Sequence, residues 1–219
     1  MGKITFTPTQ NHVVDAFKKD IYLSKNFYFT GGTALSVFYL HHRESEDLDF
    51  FSERGFSQEK VIAFMKEFIE RYGCKSTLRQ PEGIDILIYS LTFPNGEQLK
   101  IDFNHYPYKR VEQSRTIDGL AVDSLRDIAT NKLLTINQRT DVKDFVDLYF
   151  LLKGFTIWDL LYGVEAKFGM KLDLVMIASD FVKVEEFDFL PKMLVPLTTK
   201  ELIDFFRRQA IEIGKKITY

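Results

Sequence analysis

The sequence predicts an α+β protein in two parts, a mixed sheet-and-helix core over residues 1–120 and a helical part over residues 121–219. Three observations carry this. Two runs of strand-like alternation, 85–93 and 98–103, flank Pro94-Asn95-Gly96-Glu97, a strong hairpin turn. An aromatic-rich apolar run, Phe27 to Thr30, ends in Gly31-Gly32, and a second strand pattern follows over Asp47 to Phe51. From Val122 onward the apolar residues recur at helical spacing. No internal repeat or low-complexity stretch interrupts either part, so nothing suggests a solenoid or a disordered tail.

Taken in order, Thr9 to Ser24 carries Val14, Phe17 and Ile21 on one stripe and is expected to form a single amphipathic helix. A second helix is expected near Thr33, burying Leu35, Phe38 and Tyr39. His41 and His42 then project about 100° apart, which makes them poor joint metal ligands; they read as a helix end. Ser57 offers an N-cap to a third helix with Val61, Phe64 and Phe68, running toward Gly73.

Beyond the hairpin, Asp123 or Ser124 is expected to cap a helix running through Leu133. Lys132 and Arg139, seven residues apart, share a face if that helix is continuous. The next helix, Asp144 to Leu152, buries Phe145, Leu148, Tyr149 and Leu152. It leaves Asp144 and Asp147 at the border of the stripe, where carboxylates are usually surface charges, with Lys143 and Asp147 spaced for an i, i+4 pair. Pro191 and Pro196 break the chain before a final helix, which Thr198-Thr199-Lys200-Glu201 opens as a capping box and Phe205, Phe206 and Ile213 stripe.

Composition narrows the function. With 219 residues, 45% of them hydrophobic, the chain can bury a large core. Its 21 phenylalanines fall at helix and strand spacings, which argues for core and against a cofactor box. A lone cysteine, Cys74, excludes an intrachain disulfide; no signal segment and no bilayer-length apolar run is present, so a soluble cytoplasmic protein with no membrane role is expected. A net charge of −2 argues against a surface-wide nucleic-acid platform. Any nucleic acid must meet a local patch, with Lys109-Arg110 and Arg115, Arg207-Arg208, and Lys215-Lys216 the candidates.

Gly31-Gly32 closes its strand in a turn where backbone N–H groups can approach a phosphate with no Cβ in the way. In Asp47-Leu48-Asp49-Phe50-Phe51 the strand period sends both carboxylates to one face. Two oxygen donors there suit Mg²⁺, which takes its other ligands from water and substrate phosphates. Asp-x-Asp is often only solvated loop, but Asp49 is embedded in an apolar run where an unpaired carboxylate is costly. In 99–104, Leu99, Ile101 and Phe103 take one face and Lys100, Asp102 and Asn104 the other. Asp102 is thus either a third site carboxylate or a hairpin aspartate facing solvent, and spacing alone leaves both open.

In sequence order stand Gly31-Gly32-Thr33-Ala34-Leu35, Arg43-x-Ser45-x-Asp47-Leu48-Asp49, Asp127-Ile128-Ala129-x-x-Lys132-Leu133, Arg139, and Lys143-Asp144-Phe145-x-Asp147-Leu148-Tyr149. This series resembles the AbiEii/AbiGii-type nucleotidyltransferase toxins of bacterial abortive-infection and toxin–antitoxin systems. The resemblance spans residues 25–152. It implies a polymerase-β-like nucleotidyltransferase core, a twisted mixed sheet backed by helices, joined to a helical C-terminal part. It also implies Asp47 and Asp49 as metal ligands, Lys132 as a triphosphate contact and Asp144 as a further site residue. Gly31, Gly32, Thr33, Arg43, Ser45, Lys132, Arg139 and Asp147 make up the expected nucleotide-binding set. Asp102 as third carboxylate is inferred from the hairpin, in line with the superfamily's habit of using one.

The expected reaction moves a nucleoside monophosphate from a nucleoside triphosphate to a hydroxyl, with Mg²⁺ or Mn²⁺ held by Asp47, Asp49 and Asp102. Asp102 is a candidate acceptor for the hydroxyl proton, and Lys132 with Arg139 for neutralising the pyrophosphate. By resemblance the acceptor is the 3′ end of a transfer RNA and a cognate antitoxin protein is the partner. The alternatives are transfer to a small molecule or protein, and a non-catalytic interaction protein of the same fold.

Overall fold

Leu48 and Phe50, Leu87, Tyr89 and Leu91, and Leu99, Ile101 and Phe103 are all buried, each set at alternate positions of its strand, because they floor the core side of one sheet. The computed structural model describes residues 5–217. They divide into a first unit, holding residues up to 39, 45–109 and 113–124, and a second, holding 40–44, 110–112 and 125 onward.

The first unit contains the sheet. Its strands are β1 (Tyr28–Thr30), β2 (Leu48–Ser52), β3 (Lys75–Arg79), β4 (Ile86–Thr92), β5 (Gln98–His105), β6 (Arg115–Ile117) and β7 (Leu120–Val122), in the order β3-β4-β5-β2-β1-β7-β6. The pairs β2·β5 and β1·β7 are parallel and the others antiparallel. Its helices are α1 (Pro8–Lys19), α2 (Ile21–Asn26), α3 (Gly31–Leu35) and α4 (Gln58–Tyr72). Phe17 of α1 stacks on Phe50 at 4.1 Å and Phe50 on Phe103 at 5.4 Å, which fixes the core face. Tyr28, Thr30, Asp49, Lys100 and Asp102 therefore share the opposite face.

Three expectations change in detail. The helix expected over 9–24 is two, because Asp20 adopts an extended backbone and caps α2 by accepting from the Leu23 N–H at 2.8 Å. The helix expected at Thr33 starts at Gly31, runs five residues, and passes into a π-helical turn, Ser36–Leu40, that leaves Phe38 and Tyr39 half-buried. Strand β3 was not foreseen, since all its residues are exposed and no alternation marks it. The third helix and the hairpin form as expected, with Ser57 capping α4 and the Phe93 N–H bonding the Glu97 carbonyl at 2.9 Å across the turn.

The second unit is helical: α5 (Leu125–Gln138), α6 (Val142–Leu151), α7 (Ile157–Phe168), α8 (Leu174–Val182) and α9 (Thr199–Ile217). Phe206 of α9 packs edge-on against Phe145 at 5.2 Å and Phe181 at 5.0 Å. The capping box at Thr198 and Glu201 forms in both directions. Between the two prolines the chain pairs like a strand with 42–44: Arg43 bridges Met193, Glu44 N–H bonds the Lys192 carbonyl, and Leu194 N–H bonds the His42 carbonyl. Fully buried Asp127 accepts from the Val111 and Glu112 N–H groups and from Lys167, so it binds residues 110–112 into this unit. No helix among the described residues is long and apolar enough to cross a membrane.

Candidate active site

On the open face of the first unit's sheet, Asp49 and Asp102 are Cα partners on the parallel neighbours β2 and β5. Partners in register project to the same side, so the two carboxylates stand about 5 Å apart along the ladder direction at their backbones. The hairpin alternation thus turns Asp102 toward the face of Asp49. Asp47 lies one residue ahead of β2 and is half-buried.

The loop carrying Asp47 is pinned from two directions. The Thr33 hydroxyl of α3 donates to the Asp47 carbonyl and meets the Ser45 hydroxyl at 2.9 Å. The Gln10 side-chain amide donates to the Ser45 and Glu46 carbonyls at 2.9 and 3.0 Å. Gln10 is a positioning residue that sequence reasoning missed; its only signal was the Thr7-to-Gln10 capping box at the start of α1.

Gly31 has φ +77°, and a Cβ placed on it would stand 2.8 Å from Cγ of Asp49. The backbone conformation favours glycine here, and any Cβ would also force the Asp49 side chain to move. The turn after β1 and the Asp49 carboxylate are consequently in contact.

Burial pushes the Asp102 carboxyl above its ordinary value; the Lys100 ammonium opposes this and the charge of Asp47 reinforces it. Lys100 donates to Asp102 Oδ2 at 2.6 Å, while Asp102 Oδ1 is buried with no hydrogen-bond partner. Burial disfavours the Lys100 ammonium, but Asp102, then Asp47 and Asp49, outweigh it and hold Lys100 protonated. Asp47, Asp49 and Asp102 offer the anionic oxygen donors that suit a hard divalent cation, and the orphaned Oδ1 fits that use. Among the described residues no three His, Cys, Asp or Glu side chains are gathered closely enough to hold a metal, so the three aspartates do not form a closed ligand set.

The second unit gathers another set of the expected residues. Fully buried Asp147 accepts Arg43 bidentately, from Nε at 2.7 Å and the terminal guanidinium nitrogen at 2.8 Å. It also accepts from His42 Nε2 at 2.7 Å and pairs with Lys132 Nζ at 2.5 Å. Fully buried Asp144 takes Lys132 at 2.7 Å and Arg139 Nε at 2.8 Å.

Asp144 and Asp147 are therefore not border surface charges, and Asp147 is engaged by residues distant in sequence while Lys143 is exposed. Lys132 is only 9% exposed and does not sit on an open helix surface. The reason is the arrival of Arg43 and His42, which a local periodicity cannot report. Arg139, by contrast, keeps a side chain 61% exposed.

Burial would raise the Asp147 carboxyl, but Lys132 and Arg43 hold it well below the usual carboxylate range, and Lys132 and Arg139 lower Asp144 likewise. His42 is pushed below its ordinary value by burial, with Asp147 opposing. It is thus neutral, donates its Nε2–H to Asp147, and keeps a buried Nδ1 with no hydrogen-bond partner. Reading His42 as a mere helix end missed this contact. Of the basic patches, Arg207 is tied to Glu185 and Lys215 to Glu212, each at 2.6 Å, while Lys109 and Arg115 are exposed.

The family model described as "Nucleotidyl transferase AbiEii toxin, Type IV TA system" matches residues 18–210. The chain belongs to the AbiEii nucleotidyltransferase toxin family. An uncharacterized protein of Aquifex aeolicus (strain VF5), aq_aa25, is 29% identical over 195 residues, covering 87% of this chain and 89% of that one. In fold the chain is similar to JHP933 from Helicobacter pylori, with TM-score 0.60 at 20% identity over 98% of this chain and 95% of that one. It is similar also to MenT4, a nucleotidyltransferase toxin of Mycobacterium tuberculosis H37Rv, with TM-score 0.52 at 15% identity over 93% and 82%. The resemblance read from the motifs is borne out, as is the α+β nucleotidyltransferase fold. This AbiEii-family chain is an enzyme, a nucleotidyltransferase, of a type IV toxin–antitoxin family.

Proposed function

We propose that this chain is a divalent-metal-dependent enzyme that transfers a nucleoside monophosphate from a nucleoside triphosphate to the 3′ hydroxyl of an RNA, with transfer RNA the acceptor. The observation that carries the reading is the register pairing of Asp49 with Asp102 beside the Gly31 turn. Asp47, Asp49 and Asp102 would hold Mg²⁺ or Mn²⁺, which when bound stabilises charge on the attacking and leaving oxygens by on the order of several kcal/mol.

Gly31 and Gly32 present backbone N–H groups to the phosphates, while Thr33, Ser45 and Gln10 hold the Asp47 loop in place. Asp102 takes the proton of the attacking hydroxyl. That oxygen bonds to the α-phosphorus, the bond from the α-phosphorus to the bridging oxygen breaks, and pyrophosphate leaves. Lys132 and Arg139 are proposed triphosphate contacts on the family resemblance, with Asp144, Asp147 and Arg43 setting their positions. A cognate antitoxin protein is the proposed partner, and the cytoplasm the proposed location.

The test is incubation with each α-labelled nucleoside triphosphate, Mg²⁺ and total RNA. Label in RNA of transfer-RNA length is expected. Label in a protein or small molecule redirects the acceptor, and no transfer to any acceptor overturns the reading.

A further inference from the structure

Register across β3, β4 and β5 lays six polar side chains on the open face in two rows: Lys75, Thr92 and Gln98, then Thr77, Ser90 and Lys100. They line a groove of about 330 Å³ that has Glu46 and Asp47 at its rim. Four of the six, Lys75, Thr77, Ser90 and Gln98, are exposed, and the Lys100 ammonium reaches on to Asp102. The groove therefore begins at the carboxylates. The sheet order β3-β4-β5-β2-β1 places it on one side of Asp102 and Asp49, and Gly31, which directly follows β1, on the other.

We infer that this groove is the acceptor subsite and that it takes the sugar-phosphate chain at the 3′ end of a single-stranded polynucleotide. The inference rests on the proposed transfer to RNA and names where that acceptor lies.

Three features choose the occupant. The volume is at the low end for ligand sites, which run from roughly 300 to 1,000 Å³, and suits one nucleotide unit entering from an open surface. Besides Leu91, Leu99 and the rim carboxylates the lining is hydroxyl, amide and ammonium with no aromatic ring, so it offers ribose and phosphate partners and gives a base nothing to stack on. Lys100 is paired with Asp102 and the carboxylates of Glu46 and Asp47 stand at one end, whereas Lys75, on the edge strand β3 away from β2, offers a phosphodiester an exposed cation. A strand lying along the groove would bring its terminal hydroxyl to Asp102 with the triphosphate arriving over the glycine turn.

The test is fluorescence anisotropy of the full chain with a 5′-labelled octaribonucleotide across a salt series, alongside calorimetry with a non-hydrolysable nucleoside triphosphate analogue. Lys75→Glu is expected to weaken oligonucleotide binding about tenfold and to lower the salt slope by about one, leaving the analogue's affinity unchanged. Thr77→Lys, which adds a cation to the second row, is expected to raise both affinity and slope. Both positions are exposed on an edge strand, so thermal melts should match wild type.

Oligonucleotide affinity and slope identical in wild type and both variants would overturn the subsite. Equal binding of a neutral methylphosphonate octamer would do the same. If the wild type labels a protein or a cationic small molecule and binds no oligonucleotide, the subsite falls while nucleotidyl transfer stands.

Discussion

A Cβ on Gly31 would stand 2.8 Å from Cγ of Asp49, so the glycine turn and the metal-candidate carboxylate are packed backbone against side chain. Gly31→Ala adds that overlap to the strain of alanine at φ +77°. The expected cost is about 1–3 kcal/mol in urea unfolding. Asp49→Ala in the same chain should recover the steric share and leave the dihedral share. Strictly additive single-mutant effects would show that the two groups do not touch.

Lys132 and Arg139 should separate. Lys132→Met takes one charged partner from each of two fully buried carboxylates, leaving Asp144 with Arg139 and Asp147 with Arg43 and His42, and is expected to destabilise by about 3 kcal/mol. Arg139→Gln removes a partner that is 61% exposed, and its stability cost should stay within about 1 kcal/mol. Chemical denaturation of both variants decides it; equal losses would mean that the Lys132 pairings carry no more than a surface bridge.

The buried network also sets a pH dependence with two windows. His42 has a folded pKa below its ordinary 6.5, so the unfolded chain takes the proton first and stability falls as pH drops through about 6.5. Asp144 and Asp147 have folded values below 3.8, so their contribution is present above 3.8 and is lost as pH falls through the lower folded values. Urea unfolding from pH 8 to pH 5 should show the first loss in wild type and not in His42→Asn. The same slope in both would assign that window to another group.

What could be read from the chain depended on the range of the forces involved. Strands β2, β4 and β5 were legible because each buries one face and leaves a period of two, and Asp102 followed from that period once Asn95-Gly96 set the turn. Strand β3 was not, because an edge strand exposed at every position leaves no such period. Gly31 and the two aspartates of 47–49 were legible as local chemistry. The resemblance grouped Arg43, Lys132 and Asp147 as nucleotide-binding residues, but that His42 and Arg43 pair with Asp147 could not be read, since those contacts join positions more than 100 apart in sequence. No helical wheel contains that information. Gln10 carried no sign of its part in holding 45–46, because a backbone carbonyl as partner leaves no mark in the side-chain pattern.

Asp102 tests the chemistry apart from the fold. Its folded pKa lies above the ordinary 3.8, so the folded state holds the proton more tightly than the unfolded one, and the ionised carboxylate costs stability at neutral pH. Asp102→Asn removes that charge, and Lys100, with a side chain 39% exposed, can return to water. Thermal unfolding without metal should therefore be unchanged or slightly raised. Turnover should fall by roughly 10²–10⁴-fold, the usual worth of a positioned proton acceptor, and further if the cation is also lost. Mn²⁺ titration of wild type and Asp102→Asn by electron paramagnetic resonance separates those two causes: weaker binding marks a ligand, and unchanged binding with lost turnover marks the base. A stable Asp102→Asn protein that turns over at the wild-type rate would remove Asp102 from the site and leave a two-aspartate centre at Asp47 and Asp49.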